Sequence, residues 1–332
     1  MDYTLLNDQK TKISRLSLGT WAFSGAAVWG ECDEIAAIHT IHSALDRGIN
    51  LFDTAEAYGD GESEKLLGKA LKERRNSAII ATKVYSNHLD YQGIIESCEA
   101  SLRRLDTDYL DILQIHWPNK DISIEESFRA FDKLKVDGKV RNISVCNHGI
   151  KSMEAIEGHD VVLNQMPYSL IWRLGEYHLS KQMDDKGVLL WAYSPLAQGL
   201  LTGKYKTIED VPMNRRTTRM YNSKWGVSSH TDNGFEVEIF GFLKKLRALC
   251  EETGYSMTAL AFGFLKCKEN LGSILVGARD MIQLDQNLEA YYEIITEDIL
   301  EEIEGLSLEL KLKMGTNADL WQNCIDGKGR IV

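Results

Sequence analysis

The strongest constraint on this chain is a repeated pattern. A short, nearly unbroken apolar run is followed by a polar loop, then an amphipathic helix, then another apolar run. The runs cover residues 49–52, 78–82, 110–115, 140–145, 161–165, 188–192 and 274–276, and 16–20 brings the number to eight. Strands that are apolar along their whole length suit a parallel sheet covered on both faces, because a one-sided sheet would alternate. Eight strand–helix units spaced by roughly 30 residues predict a (β/α)8 barrel of the TIM type. The alternative, a doubly wound open sheet, would be expected to carry Gly-x-Gly-x-x-Gly after its first strand, and that fingerprint is absent.

The segments between the runs fit this plan. Ile35, Ile38, Ile41, His42 and Leu45 recur at helical spacing ahead of a stop at Gly48. Ile94, Ile95, Cys98, Leu102 and Leu105 make a second stripe. Ser123 with Glu126 reads as a capping box opening a third helix, with Phe128, Phe131 and Leu134 on one face and a stop at Gly138. Ser256 opens a helix bearing Leu260, Ala261, Phe264 and Leu265. Residues 3–16 predict a β-hairpin that caps or plugs the barrel. Two segments lack periodicity: 202–234, with Arg215, Arg216, Arg219, Lys224, Tyr221 and Trp225, and a C-terminal helix and tail at about 308–332 with Trp321 and Cys324. Long irregular segments in compact domains are commonly functional, so both are expected near the barrel mouth. The whole of 1–332 reads as one domain with an extra C-terminal helix.

Composition narrows the function. The net charge of -11 argues against a nucleic-acid partner, which needs clustered Lys and Arg. The sequence has no apolar run long enough for a membrane span and no basic-then-apolar leader at Met1, so no membrane partner and a cytoplasmic location are expected. Cys32, Cys98, Cys146, Cys250, Cys267 and Cys324 show no regular spacing and read as free thiols. His39 and His42 lie one helical turn apart but lack a third ligand nearby, so no metal site is expected. Residues 199–204 look like a phosphate loop but are one residue short, and Tyr205 stands where a magnesium-binding hydroxyl is needed.

The polar residues at the strand ends carry the chemistry. Asp53, Lys83 and His116 each follow an apolar run, and Tyr58 lies five positions after Asp53. Strand C-terminal ends of such a barrel converge on one face, where its active sites lie. A phenol of pKa about 10 is too weak an acid near neutrality, but a neighbouring ammonium favours its phenolate. Asp53 would keep Lys83 cationic, and His116 would orient a carbonyl oxygen. Each residue alone has a plain alternative: Asp53 as a helix cap, Lys83 as a solvated lysine, His116 as a core histidine. Together they describe a proton donor aimed at a developing alkoxide, and so hydride addition to a carbonyl, with the hydride supplied by a nicotinamide.

A resemblance extends this reading. Gly19-Thr20-Trp21, Asp53-Thr54-Ala55 with Tyr58-Gly59 and Ser63-Glu64, Leu67-Gly68, Thr82-Lys83, Gln114-Ile115-His116, Asn147, Gln165 with Tyr168, Tyr193-Ser194-Pro195-Leu196 and Gly199-Leu200-Leu201-Thr202-Gly203-Lys204 together resemble the aldo-keto reductase family. The likeness is greatest to a bacterial branch that includes inositol-catabolism and glyceraldehyde-phosphate-type reductases. It implies an enzyme that binds NADP(H), with Tyr58 as acid–base and Lys83, Asp53 and His116 around it. It further implies a cofactor site of Gly19, Thr20, Asp53, Cys146, Asn147, Gln165, Tyr193, Ser194, Leu196, Gln198, Gly199, Gly277, Ala278, Arg279, Gln283, Gln286 and Asn287, with Trp21 and Trp117 walling the substrate. Glutamate replaces His116 in members that reduce carbon–carbon double bonds. Cys146 stands where serine is usual, His148 where an aromatic is usual, and Gln283 where arginine is common, so NAD(H) stays open beside NADP(H). Two further readings also stay open: a cofactor-binding regulatory subunit, and a lyase or isomerase that uses Lys83 as a Schiff base.

Overall fold

Eight parallel strands close on themselves in chain order, the last pairing with the first. In this computed structural model, which describes residues 1–25, 29–225 and 228–322, a hairpin of β1 (Tyr3–Leu5) and β2 (Lys12–Ser14) comes first. The barrel strands are β3 (Leu16–Gly19), β4 (Leu51–Asp53), β5 (Ile79–Val84), β6 (Leu110–Ile115), β7 (Val140–Cys146), β8 (Leu163–Pro167), β9 (Leu189–Tyr193) and β10 (Leu271–Gly277). The outer helices are α1 (Glu34–Asp46), α2 (Glu62–Leu71), α3 (Tyr91–Leu105), α4 (Ile124–Val136), α5 (Ile150–Ala155), α6 (Leu179–Asp185), α7 (Glu236–Thr253), α8 (Met257–Lys266), α9 (Met281–Tyr292) and α10 (Glu297–Met314). The barrel expected from the pattern of apolar runs is therefore present. Among the described residues, no helix is long and apolar enough to cross a membrane.

Strand parity stacks the barrel interior in two layers. Leu51, Ala81, Ile112, Leu163, Trp191 and Leu275 form an apolar cluster with Leu6 and Ile13 of the N-terminal segment, and both of those are fully buried. The hairpin is thus the expected cap, held by Ser14 N–H to Asn50 Oδ1 (2.7 Å), Asn50 Nδ2 to the Lys12 carbonyl (2.8 Å) and Asn142 Nδ2 to Thr11 Oγ1 (3.1 Å). Two residues further along the same strands, on the same face, stand Asp53, Lys83, Gln114, Gln165 and Tyr193. The floor is apolar and the layer above it is polar.

Several local expectations need correction. Strand β4 begins at Leu51, not residue 49, because Asn50 is bonded to the hairpin, and Asp53 is the strand's own last residue. Lys83 lies inside β5, which continues to Val84. The buried face of α1 is Ala37, Thr40, Ile41 and Ala44, and Ile35 is exposed. Ser123 does sit at the N-cap of α4, but its side chain makes no cap bond. Glu126 instead accepts from the Tyr91 N–H (3.2 Å), joining α4 to the start of α3, so no capping box forms. Ser256 caps α8 as expected, accepting from Ala259 N–H at 3.0 Å.

Two of the arginines in the irregular 202–234 segment are buried and tied down. Arg216 is buried, lies over the Trp225 ring and donates to the carbonyls of Ile208 and Val211. Arg219 is buried too, and ties the segment to the tail after α10 by donating to the carbonyls of Asn317 (2.9 Å) and Asp319 (2.6 Å) while pairing with Asp232. Cys324 lies outside the described residues. The other five cysteines are free.

Candidate functional site

The site is built where β3, β4, β5, β6, β7, β8 and β9 end. Asp53 and Lys83 are each about 1% exposed, and the Lys83 ammonium lies 2.7 Å from the Asp53 carboxylate. Its other two donors go to the Thr54 carbonyl (2.8 Å) and the Tyr58 hydroxyl (3.2 Å). An ammonium has three N–H groups, and all three are engaged. Asp53 also accepts from Gln165 Nε2 (2.8 Å) and Gln114 Nε2 (3.3 Å), so the carboxylate is ringed by donors.

Tyr58 arrives on a tight turn between β4 and α2. Its N–H bonds the Ala55 carbonyl at 3.0 Å, and Gly59 follows with φ +61. A Cβ at Gly59 would sit 2.5 Å from the Ser24 carbonyl oxygen, so the turn requires glycine. The Tyr58 ring stacks on Trp21 (5.8 Å, 25°) and meets His116 edge-on (5.8 Å, 82°). Trp29 and Trp321 abut Trp21 at 5.3 and 6.4 Å, completing an aromatic wall, and Arg215 lies over Trp29.

The electrostatics depart from the sequence-based expectation. Burial, the Asp53 carboxylate and Cys146 hold the Tyr58 phenol well above its ordinary pKa, whereas Lys83 was expected to lower it. The lysine's charge is directed first at Asp53, so the phenol keeps its proton. Burial likewise raises the Cys146 thiol, and it depresses the fully buried His148 to about 4, leaving that imidazole neutral against the Cys146 carbonyl (3.0 Å).

Four of the expected cofactor residues, Tyr193, Asn147, Cys146 and Gln165, share one chain of contacts. Tyr193 OH donates to Asn147 Oδ1 (2.8 Å), and Asn147 Nδ2 donates to the His116 carbonyl (3.1 Å) and contacts Cys146 Sγ (3.1 Å). Cys146 Sγ in turn lies 3.5 Å from Gln165 Oε1. Thr20 turns its hydroxyl inward onto the Asp53 carbonyl (2.9 Å) and Ser63 (2.7 Å). Gly19 ends β3 beside Asp53, its register partner. Trp117 is half-buried against the core.

After β9 the backbone turns left-handed at Ser194, Ala197, Gln198 and Gly199, with φ of 53, 46, 56 and 100°. Non-glycine residues there are strained by about 1–3 kcal/mol each, a cost that persists chiefly at functional sites. Gln198 Oε1 is buried with no hydrogen-bond partner, as suits a cradle for a polar ligand along Ser194, Leu196, Gln198 and Gly199. The last group stands apart, where β10 passes into α9. Asp280 caps α9, accepting from Gln283 N–H (2.8 Å); Gln283 Oε1 accepts from Arg279 N–H (3.1 Å), and Asn287 donates to the Gly277 carbonyl (3.2 Å). Arg279 is exposed and reaches the Glu31 carbonyl (3.1 Å), and Gln286 is exposed on α9.

Sequence reasoning missed Gln114 as an Asp53 partner, although its position two residues before His116 on β6 puts both on the inward face. It also missed Trp29 and the role of Trp321, whose Nε1 donates to Tyr193 OH (2.9 Å). Nothing local in the sequence ties position 321 to position 193. Among the described residues, no group of three or more metal-ligating side chains comes together.

Residues 15–307 match the model of the aldo/keto reductase family. The chain is 41% identical over 218 residues to aldo-keto reductase YhdN of Bacillus subtilis, a match that takes in 61% of this chain and 65% of that one. It is 32% identical over 303 residues to an NADH-specific methylglyoxal reductase of Escherichia coli (84% and 90% covered). It is 28% identical over 324 residues to a probable voltage-gated potassium channel subunit beta of Arabidopsis thaliana (92% and 96%). Among solved structures, a glycerol dehydrogenase of Gluconobacter oxydans superposes with a TM-score of 0.78 at 29% identity, covering 95% of this chain and 97% of that one.

Proposed function

Since the chain belongs to the aldo/keto reductase family, we propose that it reduces small aldehydes and ketones to alcohols, with Tyr58 as the proton donor. The observation that carries this is the Lys83 ammonium, which holds Asp53, the Thr54 carbonyl and the Tyr58 hydroxyl at once. Because the phenol oxygen accepts from Lys83, its own O–H is left to point into the mouth. The phenol's raised pKa keeps that proton in place until an alkoxide develops. Once the proton has gone, the ammonium 3.2 Å away stabilises the phenolate. His116 lies edge-on to the same ring and orients the carbonyl oxygen, while Trp21 and Trp29 exclude water from the wall.

A nicotinamide dinucleotide supplies the hydride when bound. Asn147 and Gln165 would hold its carboxamide, Tyr193 would lie against its ring, and the left-handed turn at 194–199 would cradle its phosphates. At the adenosine end Arg279 favours a 2′-phosphate, and the Asp280 carboxylate opposes one, so the site takes NADP(H) and accepts NAD(H). The relatives named for methylglyoxal and glycerol support a small polar carbonyl, a class that includes sugar, polyol and phosphorylated aldehydes. Arg216 and Arg219 are tied inside the loop, which leaves Arg215 at the wall as the loop arginine near a charged substrate.

The Schiff-base reading has little support, since Lys83 is buried as a paired ammonium with no free donor. The channel-subunit relative keeps the regulatory reading in view. Oxidation of NADPH and NADH with methylglyoxal and a panel of aldehydes separates the two. Turnover that is lost in Tyr58→Phe while the cofactor still binds supports the reductase. Inactivity across the panel, or an unaffected Tyr58→Phe enzyme, overturns it.

A further inference from the structure

We propose that Ser63 is a positioning residue that sets the separation of Lys83 and Tyr58. Ser63 is the second residue of α2 and is fully buried. Its backbone N–H donates to the Tyr58 carbonyl (3.3 Å). Its hydroxyl reaches the Thr20 carbonyl (3.0 Å), lies 2.7 Å from Thr20 Oγ1 and accepts from Thr54 Oγ1 (3.0 Å). Thr20 Oγ1 then donates to the Asp53 carbonyl (2.9 Å), and the Thr54 carbonyl is one of the three acceptors of the Lys83 ammonium.

Ser63 therefore joins the turn that carries Tyr58, through its N–H, to Thr20 just after β3 and Thr54 just after β4, through its hydroxyl, and by way of Thr20 to Asp53. Thr20, Thr54 and Ser63 are each 0% exposed, so no water substitutes for a lost bond in this cluster. Lys83 reaches Tyr58 at 3.2 Å, longer than its bonds to Asp53 and Thr54, which makes this the contact that a small drift of the turn would break first. The charged and titratable groups facing Tyr58 are Asp53 and Lys83 from the strands, His116 after β6 and Cys146 at the end of β7. Among them, Lys83 alone favours the phenolate as a fixed cation, and Ser63 touches Tyr58 on one side and Thr54, an acceptor of the Lys83 ammonium, on the other.

The inference rests on Tyr58 being the proton donor, so Tyr58→Phe must be inactive before it is tested. Two variants weaken the link from opposite ends: Ser63→Ala removes the hydroxyl, and Thr54→Val keeps the shape of Thr54 while removing its bond to Ser63. In alcohol oxidation, which needs the phenolate, each should move the acidic limb of the kcat profile to higher pH by about one unit. Each should lower kcat at neutral pH by about tenfold with little change in KM. The double variant should do no more than either single one. Wild-type pH limbs in both variants, with only a lower melting temperature, would reduce Ser63 to a packing role and overturn the proposal. Should Ser63→Ala fail to fold, the limb position in Thr54→Val decides alone. A fully active Tyr58→Phe enzyme would instead remove the premise.

Discussion

Burying Lys83 and Asp53 together strips both of water, and the pair persists because Thr54, Gln114 and Gln165 complete its hydrogen bonds. Lys83→Met leaves a carboxylate in the barrel without its cation and is expected to destabilise the fold by about 3–5 kcal/mol. Urea denaturation checks this, and the double variant with Asp53→Asn should recover much of the loss. Arg279→Ala should weaken NADPH binding about tenfold or more and NADH binding little, since only the former carries the 2′-phosphate. Fluorescence titration with both cofactors reads this, and equal losses would remove Arg279 from that role. At this scale the sequence was informative because parity is simple. A polar residue two positions beyond a buried apolar one, as Lys83 follows Ala81 and Asp53 follows Leu51, must share its face. The direction of the Tyr58 pKa shift was not readable in the same way, because it depends on which partner Lys83 meets first.

The hairpin β1–β2 and the segment tied by Arg219 do different work. Leu6 and Ile13 enter the floor cluster beneath the polar layer. Leu6→Ala should therefore cost about 2–5 kcal/mol of stability and leave kcat unchanged, measured by thermal melts alongside steady-state rates. Arg219 holds the tail carbonyls of Asn317 and Asp319, and Trp321 at the end of that strap reaches Tyr193. Arg219→Ala should release Trp321 and raise KM for carbonyl substrates several-fold, with a smaller effect on stability than on KM. The barrel strands were readable because a two-sided parallel sheet imposes an unbroken apolar run. The pinned arginines of 202–234 were not, since their partners are backbone carbonyls and rings, which leave no periodic trace.

Across the whole molecule, acid should be the weak side. Burial pushes the His148 imidazole down from its usual 6.5 to about 4, so the unfolded chain binds its proton first. Stability is therefore undiminished above about 6.5 and falls as pH drops from there toward 4, by up to roughly 3 kcal/mol from this residue. Glu176 behaves as a paired carboxylate: hydrogen bonds from Arg173, Lys311 and Tyr168 overcome its burial and lower it from 4.5 to about 2, and its contribution is lost between those values. His148→Phe should flatten the pH dependence of urea midpoints between 6.5 and 4 while leaving the steeper loss below 4.5. We propose that residues 1–332 form one folding unit, for which calorimetry should show a single transition.

The plug made by Leu6 and Ile13 also has a consequence for traffic. A barrel stoppered at its base is a cul-de-sac with one doorway, and two ligands using that doorway must queue. A nicotinamide held at the buried Asn147 and Gln165, as proposed, would lie deeper than a carbonyl meeting Tyr58 at the aromatic wall, and would then arrive first and leave last. Product-inhibition kinetics should accordingly show a compulsory order.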